Sequence, residues 1–136
     1  RVYQIGIEDK TPMIVKFYRP ERWTDEQIDE EHQYCFQLKE QELPVVCPWI
    51  NTKKKSTSHY AGFRFALYER KGGHAPELDN LDNLLILGRL LGRFHGIGSA
   101  STCKHRLTLN AKTVGWDPYR LISNDFMPND LLPASD

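Results

Sequence analysis

Met13-Ile-Val-Lys-Phe-Tyr-Arg-Pro-Glu-Arg-Trp-Thr-Asp-Glu-Gln-Ile-Asp-Glu-Glu-His32 decides how the rest of the chain is read. It joins a β-branched strand containing a lysine to a strongly marked helix start that is rich in acids. Strand side chains alternate, so Met13, Val15 and Phe17 point to one face and Ile14, Lys16 and Tyr18 to the other, which leaves Lys16 as a cation inside an otherwise apolar strand. Thr24 and Gln27 have the spacing of a capping box, and Trp23 can staple against Ile28 across the N-cap. On the helix that follows, Ile28, Glu31, Cys35 and Leu38 recur at three-and-four spacing, so Glu31 falls within the apolar stripe, where a carboxylate needs a partner.

Two readings of this stretch are open on residues alone. In one, Lys16 pairs with Glu31, the arrangement by which a kinase holds a strand lysine rigid against nucleotide phosphates. In the other, Lys16 snorkels from an edge strand, and Glu31 is one acid among Asp25, Glu26, Asp29 and Glu30, which the helix dipole already favours near its N-terminus.

Three segments carry a resemblance that favours the first reading: Ile14-Val-Lys-Phe-Tyr-Arg-Pro-Glu-Arg-Trp23, Gln27-Ile-Asp-Glu-Glu-His-Gln33 and Leu87-Gly-Arg-Leu-Leu-Gly-Arg-Phe-His-Gly96. Together they resemble the bacterial stress response kinase A family, of the aminoglycoside phosphotransferase-like and choline kinase-like branch of the protein-kinase fold. The similarity extends over nearly the whole chain, is most specific in the first forty residues and loosens after His105. It implies an enzyme that transfers phosphate from Mg-ATP (ATP with Mg2+) to a serine or threonine hydroxyl of a protein. Under the resemblance Lys16 would position the phosphates and Glu31 would hold Lys16. Ile14 would line the adenine pocket, and the carbonyl of Tyr68 and the amide of Arg70 would bond the adenine at the hinge.

The family pattern also includes a nucleotide-covering hairpin before the segment matching Arg1, and a His-Gly-Asp catalytic loop with a metal-binding Asp after the segment matching Asp136. Neither is present in these 136 residues. Asp125 and Asp130 lack the context of a catalytic loop, in which an Asp is followed five residues later by a metal-binding Asn. No metal ligands are therefore assigned, and the chain by itself is expected to be inactive.

Composition sets independent bounds. A length of 136 residues, 40% hydrophobic content and a formal net charge of +0 fit one domain or slightly less with its own core, and nothing in them suggests a nucleic-acid or membrane partner. Three cysteines, Cys35, Cys47 and Cys103, have unrelated spacings, so neither a disulfide framework nor a zinc site is expected, and a reducing cytoplasm fits best. The richest apolar run, Leu84 to Leu91, is interrupted by Gly88 and Arg89 and is too short to cross a bilayer.

Along the chain, Arg1-Val-Tyr-Gln-Ile-Gly-Ile is already strand-like and reads as the middle of a longer sequence. A turn over Glu8 to Pro12 would join it to the lysine strand as an antiparallel hairpin. After a helix ending near Glu40, Leu43 to Ile50 is extended, with Pro44 and Pro48 demoting any strand to an edge. Lys53-Lys54-Lys55 reads as a solvated hairpin tip. Phe63, Phe65 and Leu67 alternate as a strand that Lys71-Gly72-Gly73 stops.

The next helix should be capped by Asn80 or Asp79 and stopped in Schellman fashion at Gly96 and Ile97. Gly88 and Gly92, one turn apart, suggest tight packing of this helix, and His95 a capping or core-satisfied histidine. Wound as a helix, Leu81, Leu84, Leu85, Ile86, Leu87, Leu90, Leu91 and Phe94 occupy most of its circumference, whereas a surface helix needs one stripe. Beyond Ser99 the chain reads as loops and short helical pieces, with turns at Trp116-Asp117-Pro118 and Met127-Pro128-Asn129.

The expected architecture is α+β: a protein-kinase-like nucleotide lobe over residues 1–70, an antiparallel sheet plus one helix with its first strand and nucleotide loop missing, and over 71–136 the hinge and the start of a helical second lobe. Three functions are compatible with it. The first is part of a serine/threonine protein kinase. The second is a small-molecule kinase of the same fold, acting on an aminoglycoside, choline or homoserine-like alcohol. The third is a non-catalytic binding module.

Overall fold

The alternation and the capping signals are both realised in the computed structural model, which describes residues 1–8 and 10–126. Strands β1 (Val2–Ile7) and β2 (Lys10–Tyr18) form the expected antiparallel hairpin. Helix α1 (Asp25–Glu40) follows, then β3 (Ser58–Tyr60), β4 (Phe63–Glu69) and helix α2 (Leu81–Ser99). The four strands make one antiparallel sheet in the order β1-β2-β4-β3, so the class is α+β. The chain divides into two compact units, Arg1–His105 and Arg106–Asp136.

Strand β2 begins earlier than expected and takes in Thr11 and Pro12. Its register against β1 slips between Ile5 and Ile7, so Thr11 and Pro12 together stand opposite Gly6. A bulge is where a strand tolerates a residue with no N–H to give the ladder.

The two faces of β2 have different neighbours. On one, Phe17 lies against Tyr3, Phe63 and Phe65, with ring centroids 6.1, 6.5 and 5.8 Å away. On the other, Tyr18, Ile28 of α1 and Ala66 of β4 form a buried cluster, with Trp23 and Tyr68 packed against it. Burying Ile28 at this interface contributes about 2 kcal/mol by apolar area. The capping box that starts α1 is complete: Gln27 N–H donates to Thr24 Oγ1 (3.3 Å), and Thr24 N–H donates to Gln27 Oε1 (3.1 Å).

After α1 the chain is extended, as the prolines require, and touches β4 through a bridge between Pro48 and Tyr68 and a bond from Trp49 N–H to the Leu67 carbonyl (2.7 Å). The lysine turn is organised by Asn51, whose Oδ1 accepts from the backbone N–H of Lys53 (2.9 Å) and Lys55 (3.0 Å), leaving the three lysines exposed. Strand β3, which the sequence reading did not separate from this loop, pairs with β4 across Ala61 and Gly62. Both have positive φ, 47° and 80°, as tight two-residue hairpin turns demand.

Helix α2 departs from expectation in three ways. Asn80 caps it, but it does not stop at Gly96: it runs to Ser99, and Gly98 lies beside the ring of Tyr34 in α1, where a Cβ would come to 3.2 Å from the phenol oxygen. Gly88 and Gly92, expected at a tight contact, face open space: a Cβ added at either would meet no packing neighbour within 4 Å among the described residues. His95 is exposed rather than capping or core-satisfied, since the helix end has moved past it. The α1–α2 contact is instead made by Tyr34 Oη donating to the Phe94 carbonyl (2.7 Å) and Arg93 Nη2 donating to the Gln41 carbonyl (2.8 Å). No α2 side chain is buried among the described residues: Leu81, Leu84, Leu85, Ile86 and Leu91 are exposed, and Leu87, Leu90 and Phe94 half-buried.

In the unit from Arg106, the expected turn at Trp116-Asp117-Pro118 is helical. A π-helical turn, Lys112–Trp116, runs into α3 (Asp117–Phe126), and the Asp117 N–H bonds the Lys112 carbonyl five residues back. Proline inside a helix lacks an N–H and crowds the carbonyl four residues earlier, and a widened turn just before Pro118 gives the ring room. The turn expected at Met127-Pro128-Asn129 and the position of Asp130 lie outside the described residues.

Thr24→Ala should lower stability by about 1 kcal/mol, read from the midpoint of denaturant unfolding, with Thr24→Ser close to wild type. The exposed leucines of α2 should make the 136-residue chain self-associate with rising concentration in sedimentation velocity, because large apolar patches are uncommon on soluble monomers. A concentration-independent monomer would show that face to be covered.

Candidate active site

Strand β2 and helix α1 cross so that two successive pairs of their residues meet. Lys16 Nζ lies 2.5 Å from Glu31 Oε1, an ion pair whose two side chains are each about one-third exposed (33% and 31%). The ammonium also stands 4.8 Å from the centroid of the Tyr18 ring. Glu30, one position earlier, turns the other way and accepts from the backbone N–H groups of Lys104 (2.6 Å) and His105 (3.1 and 3.0 Å to its two oxygens). Helical phase thus assigns the two neighbouring acids different tasks. Glu31 goes to the sheet, and Glu30 fastens the segment after α2 back onto α1.

Beside this pair the sequence reading missed a residue. His32 is 1% exposed, and its Nε2 lies 2.8 Å from the Tyr18 hydroxyl and 3.2 Å from the Tyr68 hydroxyl. Its Nδ1 lies 2.8 Å from Ser56 Oγ. The available signal was phase, since His32 stands four residues after Ile28 and so shares its stripe. Burial pushes the imidazole pKa below its ordinary value of 6.5, with a smaller lowering from the charge on Lys16, against a raising influence from Glu31. A neutral ring satisfies hydroxyl partners at both nitrogens, because it has one donor and one acceptor. The Tyr68 phenol is held above its ordinary value, first by burial.

The remaining candidates fall along β2 and β4. Ile14 is half-buried on the Lys16 face of β2 and is paired with Tyr68. The backbone of Tyr68 is flanked by Ile14 on one side and Pro48 on the other, and Arg70 follows Glu69, the last paired residue. At the start of α1, Asp25 pairs with Arg64 Nε (2.5 Å) and stands 3.5 Å from His59 Nε2. The bond from Arg64 is the main cause holding its carboxyl below the usual range.

Lys16 and Glu31 open onto a cavity of about 310 Å³ also lined by Arg1, Arg19, Arg22 and Trp23, so four basic residues and one carboxylate line it. Such a surface suits a polyanion. Among the described residues no group of three or more His, Cys, Asp or Glu gathers as a metal site. The side chain of Asp125 and all of Asp130 lie outside what is described. No helix among the described residues is long and apolar enough to cross a membrane.

Three comparisons bear on this geometry. The sequence model of the phosphotransferase enzyme family matches residues 1–129. Stress response kinase A of Escherichia coli (strain K12) is 40% identical over 135 residues, which cover 98% of this chain and 41% of that protein. The serine/threonine protein kinase RdoA of Salmonella typhimurium (strain LT2) is 43% identical over 98 residues, covering 72% of this chain and 30% of that protein. Among solved structures, amicoumacin kinase hAmiN in complex with AMP-PNP, Ca2+ and Ami superposes with a TM-score of 0.70 over 95% of this chain and 40% of that one. At 20% identity it shows a shared kinase-like fold. The chain therefore spans about two fifths or less of the length of these relatives.

Because the folded state disfavours His32 in its charged form, the unfolded chain binds the extra proton more readily. The contribution is intact above the ordinary histidine value and is lost as pH falls through the depressed one. Stability should thus decline as pH falls below about 6.5, the ordinary histidine value. His32→Gln should flatten this part of the profile in chemical unfolding series at stepped pH.

Proposed function

The chain belongs to the phosphotransferase enzyme family, and on that footing we propose that it is part of an ATP-dependent serine/threonine protein kinase of the bacterial stress response type. The observation that carries this reading is the 2.5 Å pair between Lys16 on a central strand and Glu31 on the helix packed over it. An ammonium has three donors, and with one committed to Glu31 the others are held in a fixed direction for phosphate oxygens. Preorganisation of that kind is what phosphoryl transfer asks of a protein, since catalysis there is mostly positioning and charge stabilisation.

In this reading ATP supplies the phosphoryl group when bound. Lys16 orients the phosphates, with Arg19 and Arg22 adding positive potential to the same cavity. Glu31 keeps Lys16 from collapsing onto other acceptors. Ile14 offers an apolar wall to the adenine from the same strand face, and the Tyr68 carbonyl and Arg70 amide are the proposed hinge contacts. Magnesium is assigned to no residue here, because the described residues gather no ligand set. The lobe boundary is proposed near residue 70, and the 136-residue chain is proposed to be inactive alone, with metal and acceptor groups supplied elsewhere in the parent protein. A cytoplasmic location is part of the same proposal.

The second reading is a small-molecule kinase, and one observation favours it: the solved neighbour of the same fold is named as an amicoumacin kinase. The protein-kinase reading rests on relatives of about twice that identity. A non-catalytic module is the third.

The test is made on the parent protein. It should bind Mg-ATP, and Lys16→Ala should cut phosphorylation of a protein substrate by roughly 10²-fold or more, the scale for removing one preorganised charge-stabilising donor, with circular dichroism unchanged. Full activity in that variant would refute the assignment of Lys16. Turnover of a small alcohol but no protein would select the second reading, and failure to bind nucleotide the third.

A further inference from the structure

Outside the Lys16 site, two thiols lie side by side among the described residues. Cys35, one turn beyond Glu31 on α1, and Cys47, in the extended segment after the helix, bring their Sγ atoms to 3.4 Å. Both are free and half-buried, whereas Cys103 is free and exposed. The Cys47 thiol donates to the Cys35 carbonyl (3.2 Å) and the Cys35 thiol to the Val46 carbonyl (3.6 Å), so backbone groups hold both sulfurs toward each other. A disulfide needs about 2.05 Å between sulfurs, so closure requires a displacement of ~1.3 Å, within reach of small side-chain rotations.

We propose that Cys35 and Cys47 form an oxidation site, a dithiol that a hydroperoxide converts into an intramolecular disulfide tying α1 to the segment that borders β4. The chemistry balances in two steps. One sulfur attacks a peroxide oxygen, the O–O bond breaks, and a sulfenic acid and water (or an alcohol) form. The second sulfur then attacks the sulfenic sulfur, the S–S bond forms, the S–O bond breaks, and the departing hydroxide leaves as water with the second thiol's proton. Two thiols lose two electrons in all, and the peroxide gains them.

Burial first, and then the bond and charge of Cys47, push the Cys35 thiol up to about 12, so Cys35 stays protonated at neutral pH. The thiolate is the nucleophile, so whichever sulfur attacks must first lose its proton. The bridge would fasten the helix to a strip that is already bonded to β4 through Trp49 and Pro48. This inference rests on the thiols and is independent of the phosphotransferase reading.

The experiment treats the intact protein that carries this chain with hydrogen peroxide, blocks remaining thiols with iodoacetamide and maps non-reduced peptides by mass spectrometry. The Cys35 and Cys47 peptides should disappear together into one cross-linked species that a thiol reductant restores, while Cys103 stays outside it. Amide exchange across α1 should slow in the oxidised form. Cys35→Ser and Cys47→Ser should each abolish the cross-link, leaving the other thiol of the pair as a sulfenic acid trapped by dimedone or still alkylatable. Cys35 and Cys47 both remaining alkylatable at a dose that oxidises Cys103, a cross-link through Cys103, or sulfinic products without a cross-link would each overturn the proposal.

Discussion

Everything in the first unit hangs on how α1 is held against the sheet, and that is decided by one buried imidazole. His32 reaches Tyr18 on β2, Tyr68 on β4 and Ser56 in the loop before β3, so a single ring touches three separate stretches of chain. A polar group this deep is costly unless both nitrogens are satisfied, and here they are. A purely apolar contact would let the helix slide by small amounts. Directional bonds at both ends of a ring permit one position, and networks of this kind specify a unique packing.

The Lys16–Glu31 pair inherits that precision. Glu31 precedes His32 on the helix, and Lys16 lies two residues before Tyr18 on the same strand face, so fixing the histidine fixes the carboxylate. The pair is a third exposed, and an ion pair so open to water adds little stability by itself. Its geometry is therefore better understood as maintained by its surroundings than as a source of the fold, which is the relation expected between a scaffold and a working site.

Much of this was legible in the sequence. Period-two alternation gave β2 and β4, the Thr24 and Gln27 spacing gave the start of α1, and helical phase separated Glu31 from Glu30, because these signals are local and follow from backbone geometry. The errors share a cause. Gly96, Gly88 and Gly92 look like a stop and a packing seam, but a glycine's meaning depends on what lies beside it, and among the described residues only at Gly98 would a Cβ meet another side chain, that of Tyr34. Trp116-Asp117-Pro118 looks like a turn until the wider π turn before it removes the clash. His32 was overlooked because its partners come from distant segments, and no local pattern announces a tertiary hydrogen bond. The roles of Ile14, Tyr68 and Arg70 came from resemblance alone, since backbone contacts to a ligand leave no mark on side-chain identity.

The sheet order has a kinetic side. β1 pairs with β2 and β3 with β4 through short connections, but β2 meets β4 only after the chain has closed a wide loop, Tyr18 and Tyr68 being 50 residues apart. Loop closure of that span must be met before any contact rewards it, and non-local pairing slows folding. The two hairpins and the capped α1 are local in sequence, whereas the central seam between β2 and β4 is not. His32 is then sealed only when the seam closes, so until that moment the helix is a solvated, acid-rich segment with its imidazole in water, free to be protonated. Assembly of the Lys16–Glu31 pair is thereby tied to the most non-local pairing in the sheet, and a chain caught short of it would carry Lys16 without a rigid partner.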